Sequence, residues 1–145
     1  MITKDILVTA KQYLCWNLYQ DLSLQLIELE EPVSYFFAPQ LKQSTILLFL
    51  KSNNGDYRES LFLLFHEVGH YLQFKSWVQD GLESLYWQQV AEIGGAKKLQ
   101  FEFEAWDLGK KILIDFIKSQ NMHDKYLIQQ YKTFSERSLN TYQKI

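Results

Sequence analysis

Residues 56–75 constrain the fold of this chain more than any other stretch. Their apolar side chains point in almost every direction around a helix, so a helix formed here has to be buried on nearly all sides. Asp56 and Glu59 precede the apolar run in a D-x-x-E pattern, which is close to a helix-capping box. The sequence Asn-Asn-Gly at residues 53–55 is typical of a turn. We therefore expect a turn followed by a buried helix at the centre of the fold.

The middle of this helix carries the pattern H-E-x-x-H, formed by His66, Glu67 and His70. Residues four apart on a helix lie on one face, so the two imidazoles can bind one metal ion. Glu67 lies about 100° further round the helix and can contact a water in an open coordination position. This is the geometry of a zinc hydrolase. The alternative is a pair of hydrogen-bonded histidines in a polar groove, without a metal.

Gly69 lies inside the same helix, between the two histidines of the motif and next to the second. A glycine within a helix costs roughly 0.5–1 kcal/mol relative to alanine, because it leaves the backbone more freedom to lose. Its presence indicates either that another segment or a ligand approaches closely here, or that glycine is simply tolerated. Both interpretations are open at this point.

A third ligand has to come from another part of the chain, because two protein ligands fix a metal ion poorly. The candidates are Glu102 and Glu104, on a helix predicted over residues 96–118. They are two residues and therefore about 200° apart, so only one of them can face the motif. The face of Glu102 is otherwise apolar and contains residues 105, 106, 109 and 113. The face of Glu104 is charged and includes Lys111, with which Glu104 can pair.

A carboxylate on an apolar face needs a partner, because burying it unpaired costs several kcal/mol. A metal ion would be such a partner, so the sequence favours Glu102 as the third ligand and leaves Glu104 as the alternative. His123 is a weaker candidate, since it lies in a predicted turn before the last helix. We expect it at the surface.

The remaining segments predict an α+β fold with an N-terminal helix, a small three-stranded sheet, the central motif helix and C-terminal helices. The other predicted helices cover residues 3–21 (capped by Thr3), 81–90 and 124–144. The first predicted strand starts at Leu24, covers about six residues and ends before Glu30, and the other two cover residues 33–38 and 44–51. Their connections are short enough for hairpins. Residues 75–98 could form a rim or lid of the site, or a plain connection.

Composition bounds the class of protein. With 145 residues, the chain is predicted to form one domain, residues 1–145. A net charge of −2 gives no reason to expect nucleic acid or an anionic membrane surface as a partner. Cys15 is the only cysteine, which excludes an internal disulfide and is typical of a reducing compartment. Without a signal-peptide pattern or a membrane-spanning apolar run, the sequence predicts a cytoplasmic protein.

The motif H-E-V-G-H at residues 66–70, followed by E-F-E-A-W at residues 102–106, resembles the pattern of the ImmA/IrrE family of metallopeptidases. That pattern is H-E-x-x-H followed by E-x-E-A-N on a later helix, and the resemblance covers roughly residues 1–118. Family members are compact gluzincins of phages, mobile elements and stress responses that cut transcriptional repressors. The resemblance implies a zincin-like fold and one zinc ion.

By the same resemblance, His66, His70 and Glu102 would bind the zinc ion and Glu67 would be the general base. Trp106 departs from the family pattern, which has asparagine at this position. Indole can only donate a hydrogen bond, whereas a metal-bound histidine usually donates its second ring N–H to an acceptor. Another acceptor, such as a backbone carbonyl, is therefore expected.

The resemblance implies a zinc-dependent endopeptidase that cleaves a regulatory protein such as a transcriptional repressor. Zinc would polarise the scissile carbonyl and lower the pKa of a bound water, while Glu67 would carry the proton to the leaving amine. We expect the strand at residues 44–51 to hold the substrate in an extended form. The candidate oxyanion donors are Tyr71, Tyr86, Tyr126 and Tyr131.

No helix-turn-helix pattern is recognisable, so we expect the substrate to be found by protein contact and not through DNA. Two alternatives to the endopeptidase are a catalytically silent zinc-binding adaptor or anti-repressor, and a structural protein without metal. The intact Glu67 argues against the silent adaptor, because a protein without turnover does not need a general base.

Overall fold

Five α-helices and three β-strands follow one another along the part of the chain that the computed structural model describes, residues 1–28, 33–37 and 43–143. Helix α1 (Lys4–Gln12) precedes strands β1 (Leu22–Glu28), β2 (Val33–Phe37) and β3 (Ser44–Leu50). Helices α2 (Arg58–Gln79), α3 (Glu83–Ala91), α4 (Ala96–Ser119) and α5 (Leu127–Gln143) follow. The predicted α+β class is therefore confirmed.

The chain divides into two compact units, Met1–Val68 and Gly69–Ile145. The division falls inside α2, between two residues of one continuous helix. The prediction of one domain over residues 1–145 stays a prediction. Residues 29, 38 and 144, which the predicted strands and the predicted last helix include, lie outside the described residues.

The first helix of the first unit is shorter than the sequence predicts. Thr3 takes the N-cap position of α1, but its side chain makes no capping hydrogen bond. After Gln12 the chain widens from α-helical to π-helical geometry over Tyr13–Leu18. Of the helix predicted over residues 3–21, the part from Lys4 to Leu18 is thus helical, with a change of pitch that its apolar spacing does not reveal.

The three strands form one sheet in the order β1-β3-β2, in which β1 runs parallel to β3 and β2 runs antiparallel to it. Burial alternates along β3, where Ile46, Leu48 and Leu50 are buried and the residues between them are partly exposed. This is the two-residue period of a strand with one face on a core. β3 carries the longest apolar run of the three strands and takes the central position, where both of its edges are paired.

This topology corrects two expectations. The first connection is not a hairpin, because β3 lies between β1 and β2. The assignment of residues 44–51 as the substrate strand is also wrong. A central strand already uses its backbone N–H and C=O groups on both sides, so it has none to offer to an added strand. Hydrophobic alternation predicted that these residues form strands, but it carries no information about which strands are neighbours.

The turn before α2 is confirmed. Asn53 and Asp56 form an isolated antiparallel bridge, and Asn54 and Gly55 between them both have positive φ, 53° and 80°. Two positive φ values in a two-residue loop are typical of a type I′ turn, and they explain why asparagine and glycine occupy it. The Asp56 carboxylate then accepts the backbone N–H of Arg58, the first residue of α2, over 3.2 Å.

In the second unit, α3, α4 and α5 follow the predicted helices closely, and the face of α4 predicted as apolar is buried. The buried residues of that face are Glu102, Ala105, Trp106, Gly109 and Leu113. Helix α5 packs against α4 through Tyr131, whose hydroxyl donates to the Trp106 carbonyl oxygen over 2.8 Å. Burial raises the pKa of Tyr131, so this hydroxyl keeps its proton and remains a donor.

Gly69 marks a close approach of α2 to α4. A Cβ atom built on Gly69 would lie 1.8 Å from the Ala105 carbonyl oxygen and 2.6 Å from the Ala105 carbonyl carbon. Real Cβ atoms essentially never come closer than 3.0 Å to another heavy atom. The backbone of α4 thus occupies the space that any side chain at position 69 would need. Of the two interpretations left open by the sequence, close approach of another segment is the right one.

We predict that Gly69→Ala destabilises the protein, even though alanine is the better helix former. The added methyl group can be accommodated only if the two helix backbones separate, and overpacking of this kind costs about 1–3 kcal/mol or more. Denaturant unfolding followed by circular dichroism measures the loss. Ser76→Ala, at an exposed position of the same helix, is the control and should change the free energy of unfolding by less than about 0.5 kcal/mol. A Gly69→Ala protein as stable as the wild type would contradict the close contact.

Candidate metal centre

Helix α2 buries all three polar residues of the H-E-x-x-H motif. His66, Glu67 and His70 keep only 7%, 7% and 8% of their surface exposed, on a helix whose neighbouring residues are apolar. His66 and His70 lie one turn apart on the same face, as their spacing predicts. Polar groups buried to this degree need hydrogen-bond or ligand partners, because leaving them unpaired is costly.

Glu102 is the residue of α4 that meets the motif. Its Oε2 atom lies 3.1 Å from Nε2 of His70, and the residue is only 4% exposed. One nitrogen of His66, one nitrogen of His70 and one carboxylate oxygen of Glu102 all lie within 4.8 Å of one another. In the described part of the chain, this is the one group of three or more His, Cys, Asp or Glu side chains with that property. The structure therefore contains a buried cluster that could bind a metal ion.

The donor set of this cluster and the spacing of its His70–Glu102 pair fit zinc. Zinc bonds to imidazole nitrogen and carboxylate oxygen of about 2.0–2.1 Å, in tetrahedral geometry, place two ligand atoms about 3.3 Å apart. The observed 3.1 Å between His70 and Glu102 is close to this separation. Two imidazoles and one carboxylate are also the ligand types that catalytic zinc sites combine with an open fourth position.

The alternative third ligands lie elsewhere. Glu104 is partly exposed and its Oε1 atom accepts a hydrogen bond from Gln100 over 3.1 Å. The predicted pairing of Glu104 with Lys111 is wrong, since Lys111 pairs with Asp107 over 3.2 Å, four residues away on the same helix. His123 is exposed, as expected. The structure thus brings Glu102, and neither of the other two candidates, to the histidines.

Gln73 provides the hydrogen-bond acceptor for His70 that Trp106, whose indole is only a donor, cannot provide. Its Nε2 atom donates to the Phe101 carbonyl oxygen over 2.8 Å, which fixes the orientation of the amide and turns Oε1 towards His70. The Nδ1–H of His70 donates to this Oε1 over 2.9 Å. With the proton on Nδ1, the lone pair of Nε2 points towards Glu102 and is available for a metal. Sequence reasoning missed Gln73, although its place three residues after His70 puts it on the same helix face.

Lys98 is a second partner of Glu102 that sequence reasoning missed. Its Nζ lies 3.3 Å from Oε1 of Glu102, the carboxylate oxygen that does not face His70. The same Nζ donates to the carbonyls of Gln89 and Val90, near the end of α3, over 3.0 and 3.4 Å. The signal in the sequence is the spacing of four residues between Lys98 and Glu102, which places a cation beside a carboxylate on one helix face.

Aromatic rings close the site on the side of α3. The Phe101 ring lies against the His70 imidazole, with centroids 5.1 Å apart. Tyr86 packs on Phe101 at 5.6 Å and is only 1% exposed. These apolar surfaces restrict rotation of the His70 ring and exclude water from one side of the cluster, which strengthens the electrostatic interactions within it.

Glu67 has a partner in the sheet. The Ser34 hydroxyl on β2 donates to Oε1 of Glu67 over 2.8 Å. This bond engages one carboxylate oxygen and so fixes the orientation of the group. No local sequence pattern links the two residues, which are 33 positions apart.

The four candidate oxyanion donors have different environments. Tyr131 is already committed to the Trp106 carbonyl, so it is not available to a substrate. Tyr71 and Tyr86 are buried, at 2% and 1% exposure, whereas Tyr126 is 63% exposed. The assignment of an oxyanion donor to one of these three stays a prediction.

Comparisons of the chain with protein-family models, with curated proteins and with solved structures find no match. Among the described helices, none combines the length and apolar composition needed to cross a membrane.

We predict that Gln73→Leu weakens metal binding about 10–100-fold, the usual effect of removing the hydrogen-bond acceptor behind a metal-bound histidine. The measurement is competition for Zn²⁺ with a chromophoric chelator. Gln79→Leu, the same substitution at an exposed position near the end of α2, is the control and should leave the affinity unchanged. Equal affinities of the two variants would show that Gln73 does not orient His70.

Proposed function

We propose that the protein is a zinc-dependent endopeptidase that cleaves a regulatory protein such as a transcriptional repressor. The observation that carries the proposal is the buried group of His66, His70 and Glu102, with Glu67 next to the first ligand on the same helix. To this cluster, which could bind a metal ion, we assign one zinc ion and the hydrolysis of peptide bonds.

The residues around the cluster have separable roles in this reaction. His66, His70 and Glu102 would hold the ion, which when bound would polarise the scissile carbonyl and activate a water. Glu67 would accept the proton of the attacking water and deliver it to the leaving amine. Ser34 would keep the Glu67 carboxylate turned in one direction, through the 2.8 Å hydrogen bond. Gln73 would keep His70 in the tautomer that leaves Nε2 free to bind.

The corrected sheet topology changes the strand that we propose for substrate binding. β2 lies at an edge of the described sheet and carries Ser34, which contacts Glu67. An extended peptide can add to such an edge through backbone hydrogen bonds. Binding along β2 would bring the peptide beside the proposed general base, so β2 replaces β3 in this role.

The resemblance to the ImmA/IrrE family supports the choice of a repressor as the substrate. It rests on H-E-x-x-H at residues 66–70 and on Glu102, Glu104 and Ala105 of the later helix pattern. The structure supplies one element that this resemblance lacked, because the histidine acceptor missing at Trp106 is present at Gln73.

A second candidate function is favoured by one observation. Lys98 pairs with Oε1 of Glu102, and Oε2 lies 3.1 Å from His70, which would donate to it if both ring nitrogens carried a proton. Such a cluster could be a purely structural polar network, in a protein that works by contact with other proteins and binds no metal. The metal content of the purified protein separates this candidate from the peptidase, because a structural network would carry no zinc.

We predict that Glu67→Gln keeps zinc and loses proteolysis, because the amide retains the shape of the carboxylate but cannot accept the proton of the attacking water. Purified zinc-loaded wild type and variant are incubated with a proteome-derived peptide library, and new peptide termini are identified by mass spectrometry. The expected loss is about 10²–10⁴-fold in cleavage rate, the usual contribution of a general base.

Glu59→Gln, at an exposed position in the first turn of the same helix, is the matched control and should cleave like the wild type. A Glu67→Gln protein that cleaves at the wild-type rate would overturn the assignment of the general base. A wild-type protein that carries zinc and cleaves nothing, including candidate repressors, would favour the silent adaptor.

A further inference from the structure

Lys98 is the most unusual charged residue of the second unit, because a lysine is rarely buried unless it is paired. It is only 7% exposed, and its Nζ contacts one carboxylate and two backbone carbonyls. All three contacts lie within the second unit. The carboxylate is that of Glu102, the proposed third ligand.

We infer that Lys98 is an internal counter-cation, which takes the place of the divalent ion in the metal-free site and opposes its binding. The inference rests on the proposed function, since it assigns a role to Lys98 in the control of that same metal site. It makes Lys98 a positioning residue that acts through Glu102 and has no direct contact with the ion.

The geometry separates the two oxygens of Glu102. Oε1 faces the ammonium group of Lys98 at 3.3 Å, and Oε2 faces His70 at 3.1 Å. A buried carboxylate without a cation is strongly unfavourable, so in the metal-free protein Lys98 provides the compensation that allows Glu102 to stay charged and in place. The Glu102 carboxylate is therefore already in position to bind a metal ion in the metal-free protein.

The same arrangement weakens metal binding. A divalent ion bound by Glu102 would be a second cationic neighbour of this carboxylate, and the α3 carbonyls would hold the ammonium group close to the added positive charge. Lys98 thus stabilises the metal-free state more than the metal-bound state. Thermodynamic linkage requires that a group with this preference lowers the affinity for the metal.

The contacts with α3 offer a purely structural explanation that has to be separated from this one. Lys98 donates to the carbonyls of Gln89 and Val90, and a cation at a helix C-terminus stabilises that helix. If this were its only role, removal of Lys98 would destabilise the metal-free and metal-bound forms equally. The affinity for metal would then be unchanged.

The test compares Lys98→Met, which removes the charge and keeps most of the volume, with Lys97→Met at the exposed neighbouring position. Affinity for Zn²⁺ and Co²⁺ is measured by chelator competition, and thermal unfolding is followed with and without Zn²⁺. We expect Lys98→Met to bind zinc about tenfold more tightly or better, a coupling of ordinary size between two sites. Its melting temperature should fall without zinc and recover when zinc is added. Lys97→Met should match the wild type in both measurements.

Lys98→Gln provides a second variant in case the methionine protein does not fold. Its amide can still donate to a helix carbonyl but carries no charge, so it should also bind zinc more tightly than the wild type. The Glu102→Gln background supplies the complementary control, since without the carboxylate the effect of Lys98→Met on metal-free stability should shrink to the contribution of the α3 carbonyls.

The outcomes distinguish this inference from the proposed function. A wild type that binds zinc, with Lys98→Met and Lys98→Gln proteins that bind it equally or more weakly, would overturn the counter-cation role and leave the metal site intact. A wild type that binds no zinc or cobalt would overturn the metal site itself, and this inference with it.

Discussion

The close contact between Gly69 and the backbone of Ala105 is the constraint on which the candidate site depends. With no side chain between them, α2 and α4 approach until a Cβ at position 69 would overlap the Ala105 carbonyl. The next contacts along the two helices are Gln73 with Phe101 and His70 with Glu102. Along this line of contacts the residue numbers increase on α2 and decrease on α4, so the two helices run antiparallel here. A carboxylate on α4 can reach a histidine on α2 because the backbones are so close.

The polar groups buried by this contact form a connected chain of hydrogen bonds and ionic contacts. The Phe101 carbonyl accepts from Gln73, Gln73 accepts from His70, His70 meets Glu102, and Glu102 pairs with Lys98. Buried polar groups are tolerated when each has a partner, and a connected network holds its members more firmly than isolated pairs do. The network fixes both the tautomer of His70 and the position of Glu102. We infer that its two ends have opposite effects, because Gln73 would favour metal binding and Lys98 would oppose it.

The local pattern of apolar and polar residues was sufficient to predict the helices, the α+β class and the burial of Glu102. The choice of Glu102 over Glu104 followed from helix periodicity, because 200° of rotation separates the two residues and only one can lie on an apolar face. Gly69 could be recognised as unusual, but its neighbour could not be named, because a close contact is a property of two segments. The pitch change after Gln12 left no trace in the spacing of apolar residues.

The features that the sequence did not reveal depend on contacts between distant residues. Each strand was located correctly from the sequence, but the order of the strands was not. The structure places β3 at the centre of the sheet, where it has no free edge to bind a substrate. Ser34 reaches Glu67 across 33 positions, and nothing in the neighbourhood of Ser34 indicates this. Gln73 and Lys98 are different, because each lies within four residues of a candidate ligand. Their spacing could have been used, since partners of a metal ligand often lie one turn away on its own helix.

The metal content of the purified protein, compared with that of Glu102→Ala and Glu104→Ala by elemental mass spectrometry, tests the central claim most directly. The two carboxylates lie two residues apart on one helix, and only Glu102 faces the histidines, so each variant controls for the other. A three-ligand site predicts about one zinc ion per chain in the wild type and in Glu104→Ala, with loss of zinc in Glu102→Ala. A wild type without metal, or a Glu102→Ala protein that retains as much zinc as the wild type, would contradict the assignment of His66, His70 and Glu102 as a metal centre.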